Sequence, residues 1–424
     1  LGRLELLGAG VMGRRAPLAA AVLVAAGAVA LTCAVTAAGL VAVGQDASGS
    51  VALGLAWAGV GLTFVGVSAV AAQLAQTARG AGGITLAVLG AAYLLRAVGD
   101  TTEGPLGAAL VWLSPLGWPE KVSIYGENRY IAAIVPLAVT AGLLALADRL
   151  LARRDLGSGL LATRVGPGRA AAALRSPAGL AWRLQRGSLI GWTVGYALLG
   201  LVLGAISQSI TSMLDNPDIV EMLRAMGGNA GTLVDLFVRT ELVIAAIAAA
   251  GYGISAALRL RSEETTGNAE PVLAGAVSRP RWLSSHLVVA LSGSAWLMVV
   301  LAVTVALGAR GGLTGPGTSV ASMLGAAAVA VPAVWVCVGL AAFVYGTVPR
   351  WVTALWAALV VFLVLGEFGR TLKLPDSLIN VSPFPHIPPL PGGALTLTPV
   401  VALSAVAATL GLVGYAAFRR RDIG

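Results

Sequence analysis

The residues that could do chemistry concentrate in one polar stretch, residues 259–281, of an otherwise apolar chain. This stretch carries three carboxylates, Glu263, Glu264 and Glu270, with a pair of arginines at each of its ends. One apolar run of about twenty residues precedes it and another follows, the length that crosses a bilayer. We therefore interpret the stretch as a short loop between two membrane spans, whose charges can form ion pairs with a soluble partner.

Side chains that commonly carry catalysis or bind metals are scarce. A Walker A sequence is absent, because the only lysines are Lys121 and Lys373 and neither follows a glycine. The two histidines, His286 and His386, are far apart, and both cysteines lie inside apolar runs, so no metal-ligand spacing is present. We expect no catalytic residue, metal or cofactor on this chain. Energy for any work would come from a partner or from an ion gradient.

The composition indicates a membrane protein. The 424 residues are 57% hydrophobic and 11% charged, with a mean hydropathy of +0.87, whereas soluble domains carry about 25% charged residues. A net charge of +9 would suggest nucleic acid in a soluble protein. Here the basic residues lie in short loops between apolar runs, and such a distribution indicates the orientation of a protein in the membrane. We expect contact with membrane lipid and no nucleic-acid partner.

Ten apolar runs are candidate membrane spans. They are residues 17–43, 50–75, 82–99, 130–149, 188–212, 234–258, 283–308, 319–347, 351–366 and 395–418. With the first residues placed inside the cell, 20 of the 28 basic residues fall on the inner side, the bias expected of cytoplasmic loops. The predicted fold class is an all-α polytopic protein of the plasma membrane, with ten visible spans and both visible ends in the cytoplasm.

The chain contains an internal repeat. Three patterns recur at offsets of 265 to 268 residues: Gly2, Glu5 and Arg14 with Gly267, Glu270 and Arg279; Ser114-Pro115 with Ser382-Pro383; and Arg153-Arg154-Asp155 with Arg420-Arg421-Asp422. Both copies have the same orientation, which is a parallel repeat. We predict a first transmembrane half at 1–157, a cytoplasmic linker at 158–187, and a second half at 188–424. The two spans ahead of the second polar loop predict two counterparts ahead of residue 1, and twelve spans in all.

The end of the linker predicts a short helix on the inner membrane surface. Ser176 and Pro177 are a helix-start pattern. The residues after them, up to 187, combine leucine, tryptophan and arginine, as helices on a membrane surface do. A flexible linker is the alternative.

The polar stretch and its weaker copy at the chain start are the predicted contact points for a soluble motor. The candidate residues are Glu5, Leu6, Leu7, Arg14, Glu263, Glu264, Gly267, Glu270, Pro271, Val272, Leu273 and Arg279. Acidic residues at a helix start suit the helix dipole, and the apolar residues would fill a docking groove. The alternative is two ordinary loops kept similar by duplication. Separately, Arg239 and Glu241 are candidate substrate or gate residues, although Asp235 and Arg239 could simply form a helical ion pair.

Four sequences carry a resemblance to a known family: Glu263-Glu264 followed by 267–274, and residues 113–118, 152–157 and 180–187. Together they resemble actinobacterial permeases that export polyketide antibiotics, the tetronasin-transport type, which are similar to type-2 ABC exporters with two six-span halves. The resemblance implies a separate ABC ATPase in two copies, holding ATP and Mg²⁺ and docking on the two loops. It also implies efflux of amphipathic drugs, and hence antibiotic resistance.

The same resemblance implies that the Ser-Pro segments form re-entrant helices that cap an outer exit. Aromatic side chains would line the path to this exit, and the candidates are Trp57, Phe64, Trp192, Tyr196 and Phe237. Ordinary helix packing is the alternative for each. Two other functions stay open: an ion-coupled secondary carrier, which needs a deeply placed carboxylate, and a membrane enzyme for lipid-linked substrates, which needs converging carboxylates or histidines.

Overall fold

The computed structural model describes residues 13–154, 159–161, 168–213, 230–309 and 319–421. Every regular element within these ranges is a helix. Nine of the described helices are long and apolar enough to cross a membrane. The protein is therefore an all-α polytopic membrane protein. Its contacts divide the chain into two units, Leu1–Pro167 and Gly168–Gly424, and each is described by itself.

The first unit is a helical bundle arranged around α2. Its helices are α1 Ala16–Ala42, α2 Ala47–Leu74, α3 Ala78–Thr101, α4 Pro105–Leu113, α5 Trp118–Lys121 and α6 Ile134–Arg153. The α2 helix packs against α1, α3 and α6. It begins where the Asp46 carboxylate accepts a hydrogen bond of 2.7 Å from the backbone N–H of Gly49, because the first turn has no carbonyl to satisfy that N–H.

The second unit is larger and more deeply packed. Its helices are α7 Pro177–Met213, α8 Ala230–Ala257, α9 Arg259–Thr265, α10 Ala269–Leu273, α11 Arg279–Gly308, α12 Val320–Thr347, α13 Ala354–Leu363, α14 Asp376–Ile379 and α15 Leu397–Arg420. The α12 helix packs against α8, α11 and α15, and α7 packs against α11. The core lies between these helices, where Leu297, Met298 and Val334 are fully buried.

The start of α7 differs from the prediction. Residues 177–187 do not form a separate surface helix, because they are the first turns of one continuous helix from Pro177 to Met213. No proline or β-branched run interrupts the sequence there, so the helix can continue. Packing supports the joint, since the buried Gln185 side chain forms a hydrogen bond of 2.9 Å with His286 of α11.

The ninth predicted span, residues 351–366, is also shorter than expected. The α13 helix ends at Leu363 and continues only as a π-helix over Val364–Phe368. Fifteen helical residues rise at most about 22 Å, which is less than the roughly 30 Å hydrocarbon core. This helix is apolar but too short to be counted with the nine long ones.

A buried serine fixes the Ser-Pro segment in each unit. In the first unit the Ser114 hydroxyl donates a hydrogen bond of 2.6 Å to the carbonyl of Ala92 in α3. In the second unit the Ser382 hydroxyl donates one of 2.9 Å to the carbonyl of Phe362 in α13. Both serines are fully buried. Each unit thus holds the segment before its last helix against the preceding apolar helix by the same contact.

Replacing Ser382 with alanine is expected to lower the free energy of unfolding by about 1 kcal/mol, the typical net value of one hydrogen bond. Chemical denaturation of the purified chain in detergent would measure this. The matched control is Ser404→Ala, since the Ser404 hydroxyl donates a hydrogen bond of 2.7 Å to the Val400 carbonyl of its own helix, and no other partner of it is found in the described part of the chain. Equal stability loss in the two variants would show that the Ser382 contact does not hold the segment.

Candidate functional site

The polar stretch folds as two short helices between α8 and α11. The α9 helix follows α8 after the single residue Leu258, so it nearly continues that helix. It ends at Thr265, and two residues later Gly267 has a backbone φ of +74°, a left-handed conformation that glycine adopts without strain. The chain then enters α10 and reaches α11 at Arg279. We call residues 259–273 the α9–α10 segment.

Two of its three carboxylates have partners within the chain. Glu263 forms an ion pair with Arg259 one turn earlier, at 2.6 Å. Glu264 accepts a hydrogen bond of 2.9 Å from the Tyr345 hydroxyl in α12, and it also forms an ion pair with Arg421 after α15. Both carboxylates are largely buried. The contacts of Glu264 hold α9 against the ends of α12 and α15, whereas the pair of Glu263 and Arg259 lies within α9.

The exposed surface of the segment lies in its second part. Gly267, Glu270 and Pro271 are exposed. Val272 and Leu273 are half-buried and pack against the core of the unit. Of the predicted contact residues here, Gly267, Glu270 and Pro271 are therefore exposed, while Val272 and Leu273 pack α10 against the core. The exposed surface of the α9–α10 segment thus combines the Glu270 carboxylate with the apolar ring of Pro271.

Two arginines connect this region to the helix ends behind it. The Arg279 guanidinium donates a hydrogen bond of 2.8 Å to the carbonyl of Arg421. The Arg421 guanidinium in turn donates one of 2.7 Å to the carbonyl of Tyr345. The start of α11 and the ends of α12 and α15 are thus joined by charge-assisted hydrogen bonds, which are stronger than neutral ones.

The first unit contains the same two contacts. Its Arg14 guanidinium donates to the carbonyl of Arg154, and the Arg154 guanidinium donates a hydrogen bond of 2.6 Å to the carbonyl of Ala72 in α2. These residues precede their second-unit counterparts by 265, 267 and 273 positions. The offsets of the two arginine pairs lie within the 265 to 268 positions of the internal repeat, whereas that of the carbonyl acceptors Ala72 and Tyr345 lies outside it. Glu5, Leu6 and Leu7 lie outside the described residues.

The predicted path residues of the first unit have different surroundings. Phe64 lines a cavity of about 420 Å³ between α1 and α2, with Val22 and Ser68 among its walls. Trp57 is 51% exposed and lines none of the cavities described here. Phe64 is thus the better placed of the two for contact with a ligand.

Trp192 and Tyr196 pack within the second unit. The buried Tyr196 hydroxyl donates a hydrogen bond of 2.6 Å to the carbonyl of Ala245. The Trp192 ring lies 6.1 Å from the Tyr196 ring and 6.0 Å from the Tyr252 ring, centroid to centroid. These contacts are those of an aromatic core.

Near the start of α8, the charged and aromatic candidates divide between two cavities. Phe237 and Glu241 line a void of about 10 Å³, which is hardly room for a water molecule. Arg239 lines a separate cavity of about 220 Å³, together with Glu367 and Arg370. The ion pair between Asp235 and Arg239, which was the alternative to a substrate or gate role for Arg239, is not found among the described residues. Within those residues, no group of three His, Cys, Asp or Glu side chains could hold a metal.

Comparison with known sequences identifies the family. Residues 174–419, more than half of the chain, match the family described as "Multidrug efflux system permease Rv1217c, C-terminal domain". The chain belongs to this multidrug efflux permease family. It is also 43% identical over 425 residues to the multidrug efflux system permease protein Rv1217c of Mycobacterium tuberculosis (strain ATCC 25618 / H37Rv). That alignment covers 100% of the chain and 76% of the relative.

The match to the multidrug efflux permease family contains both features described above. It begins just before α7 and ends within the last turn of α15, so it includes the α9–α10 segment and the Arg239 cavity. Sequence reasoning located Arg239 but did not connect it with Glu367 and Arg370. The available signal was that all three charges lie beside the ends of apolar runs, a position that indicates nearness to the membrane surface but not to each other.

Proposed function

We propose that the chain is the membrane-spanning permease subunit of an ATP-driven exporter of the ABC type. It moves amphipathic drugs, polyketide antibiotics among them, out of the cell. ATP and Mg²⁺ are bound by separate ATPase subunits, one docked on the α9–α10 segment and a second on the matching region of the first unit. The described ends, with Arg14 and Arg421, lie on the cytoplasmic side of the plasma membrane.

The single observation that carries this proposal is the way the α9–α10 segment is built. Its inner carboxylate Glu264 is held by Tyr345 and Arg421, so the segment is fixed to the ends of the spans. Its outer part leaves Glu270 and Pro271 exposed. A rigid element whose outer surface is partly polar and partly apolar can bind a partner protein. It can then transmit a movement of that partner to α8 and α11. The repeated arginine contacts in the first unit support a second docking point.

The test is charge reversal at Glu270 with the tagged chain purified from its native cells. We expect ATP hydrolysis to copurify with the unaltered chain, and Glu270→Arg to reduce the recovered hydrolysis about tenfold, the effect of roughly 1.4 kcal/mol in binding. The matched control is Asp376→Arg, because Asp376 is equally exposed but belongs to α14. Its hydrolysis should be unchanged.

Two results would contradict the proposal. One is equal copurification of hydrolysis with Glu270→Arg and Asp376→Arg. The other is drug efflux by the chain that ignores ATP depletion but stops when the proton gradient is collapsed. The second result would favour the ion-coupled carrier.

A further inference from the structure

The cavity that contains Arg239 has walls from three parts of the second unit. The α8 helix contributes Leu236 and Arg239, the π-helix after α13 contributes Glu367, and the following residues contribute Arg370. The Ser-Pro segment closes it with Phe384 and Ile387. Apolar side chains therefore share the walls with a small cluster of charges, and polar atoms make up the larger part of the exposed lining. This is the composition of a site for an amphipathic ligand.

The charges of this cavity have no bonded partner in the part of the chain that the structure describes. Among the described residues, Arg239 and Arg370 take part in no ion pair and no side-chain hydrogen bond, and neither does Glu367. Arg239 and Glu367 are half-buried, whereas Arg370 is exposed. Withdrawing a guanidinium from water without a counter-charge is unfavourable, and ionisable groups of this kind in membrane proteins commonly mark a functional site.

The position of the cavity is near a membrane surface. Arg239 precedes Arg259 by twenty residues of nearly continuous helix, α8 and α9. At a rise of 1.5 Å per residue they are separated by about 30 Å, the thickness of the hydrocarbon core. The cavity therefore lies at the end of the spans opposite the α9–α10 segment. A charged group of a ligand can remain there while its apolar part stays in the membrane.

The backbone beside the cavity is irregular. Glu367 belongs to the π-helix Val364–Phe368, and π-helical turns are rare and frequent at functional sites. The adjacent Ser-Pro segment is fixed by the buried bond from Ser382 to Phe362. The walls are thus held in a defined arrangement around the charges.

We propose that this cavity binds the anionic group of amphipathic organic anions, so that the permease prefers substrates carrying a carboxylate or sulfonate. The lining holds two guanidinium groups and one carboxylate, and a second carboxylate, that of Glu241, lies close enough to interact with Glu367. Guanidinium groups bind carboxylate and sulfonate anions with paired hydrogen bonds. A volume of about 220 Å³ is smaller than a drug-sized pocket. It admits the head of the ligand and leaves the apolar remainder outside. The inference rests on the proposed function, in that it names the substrate class of the exporter.

The test compares two fluorescent probes that differ only in charge: dansyl-labelled undecanoic acid, ionised at neutral pH, and its methyl ester. The chain is placed in nanodiscs of phosphatidylcholine without ATPase or ATP. We expect the acid to bind about tenfold more tightly than the ester, a difference of roughly 1.4 kcal/mol. Arg239→Gln and Arg370→Gln should each remove most of that difference and leave ester binding unchanged.

Three variants serve as controls. Glu367→Gln should bind the acid as tightly as the unaltered chain or more tightly, a result that misfolding could not produce. Arg239→Lys should keep part of the preference. Arg350→Gln removes an exposed arginine that lies outside the cavity, and its probe binding should not change. Equal binding of acid and ester by the unaltered chain would overturn the proposal, as would full acid affinity in the double variant of Arg239 and Arg370.

An anionic lipid head group shares the proposed chemistry, so the measurement is repeated in nanodiscs containing phosphatidylglycerol. Continued binding of the acid supports the proposal, and its complete displacement would assign the cavity to lipid instead. Because no ATPase is present, the outcome is independent of ATP coupling. Selective acid binding together with ATP-independent efflux would leave this site standing while the proposed function fails.

Discussion

Replacing Arg421 with methionine is expected to lower the free energy of unfolding by about 2 kcal/mol. The arginine bonds the Tyr345 carbonyl and the Glu264 carboxylate, and its guanidinium lies over the Tyr345 ring, 4.9 Å from the centroid. The ion pair is only about 15% exposed. The expected loss therefore exceeds the value below about 1 kcal/mol of a surface pair, yet is smaller than for a fully buried one.

Denaturation of the purified chain in detergent would measure the effect of Arg421→Met. The control is Arg420→Met, the neighbouring exposed arginine in the last turn of α15, which should change stability by less than about 0.5 kcal/mol. Adding Glu264→Gln tests whether the two side chains act together. Strict additivity of the Glu264 and Arg421 effects would show that their pairing does not stabilise the segment.

The second large effect is expected at the crossing of α12 and α15. Gly346 and Gly414 allow the two backbones to meet, because a Cβ atom at Gly414 would overlap the backbone of Ala342 and Phe343. Small residues permit this close approach between membrane helices. Gly414→Val is expected to cost about 3 kcal/mol, at the upper end for an overpacked core, because the obstruction is main chain that cannot rotate away.

The matched control for Gly414→Val is Gly411→Val in the same helix. A Cβ atom at Gly411 meets nothing within 4 Å, so that variant carries only the change in helix propensity, below about 1 kcal/mol. Thermal unfolding followed by tryptophan fluorescence would compare the two. Similar melting temperatures for both variants would refute the close crossing.

The sequence predicted the spans well because their signal is local. Runs of apolar residues specify helices in lipid wherever the neighbours lie, and predictions such as 319–347 differ from α12 by a single residue. Where the prediction was wrong, packing or backbone geometry decided the outcome. The sequence of residues 351–366 contains no pattern that predicts the change to a π-helix. The hydrogen bond between Gln185 and His286 that supports α7 joins residues 101 positions apart, so local patterns could not predict it.

The candidate sites were harder to predict for the same physical reason. Glu264 and Arg421 are 157 positions apart, so their pairing depends on the tertiary fold. Hydrophobic patterning placed Tyr196 in a span but could not say whether it faces a cavity or the core, and its bond to Ala245 places it in the core. For Arg239 the local partner Asp235 was a reasonable alternative, while the observed neighbours Glu367 and Arg370 come from more than a hundred residues later.

The unbroken α7 helix has a mechanical consequence. Its 37 residues rise about 55 Å, so roughly 25 Å exceeds the hydrocarbon core. The helix packs on α11 beyond the bond from Gln185 to His286, since Gly204 lies against the Val305 carbonyl. A displacement of the turns near Pro177 would therefore be transmitted to α11 through this shared interface.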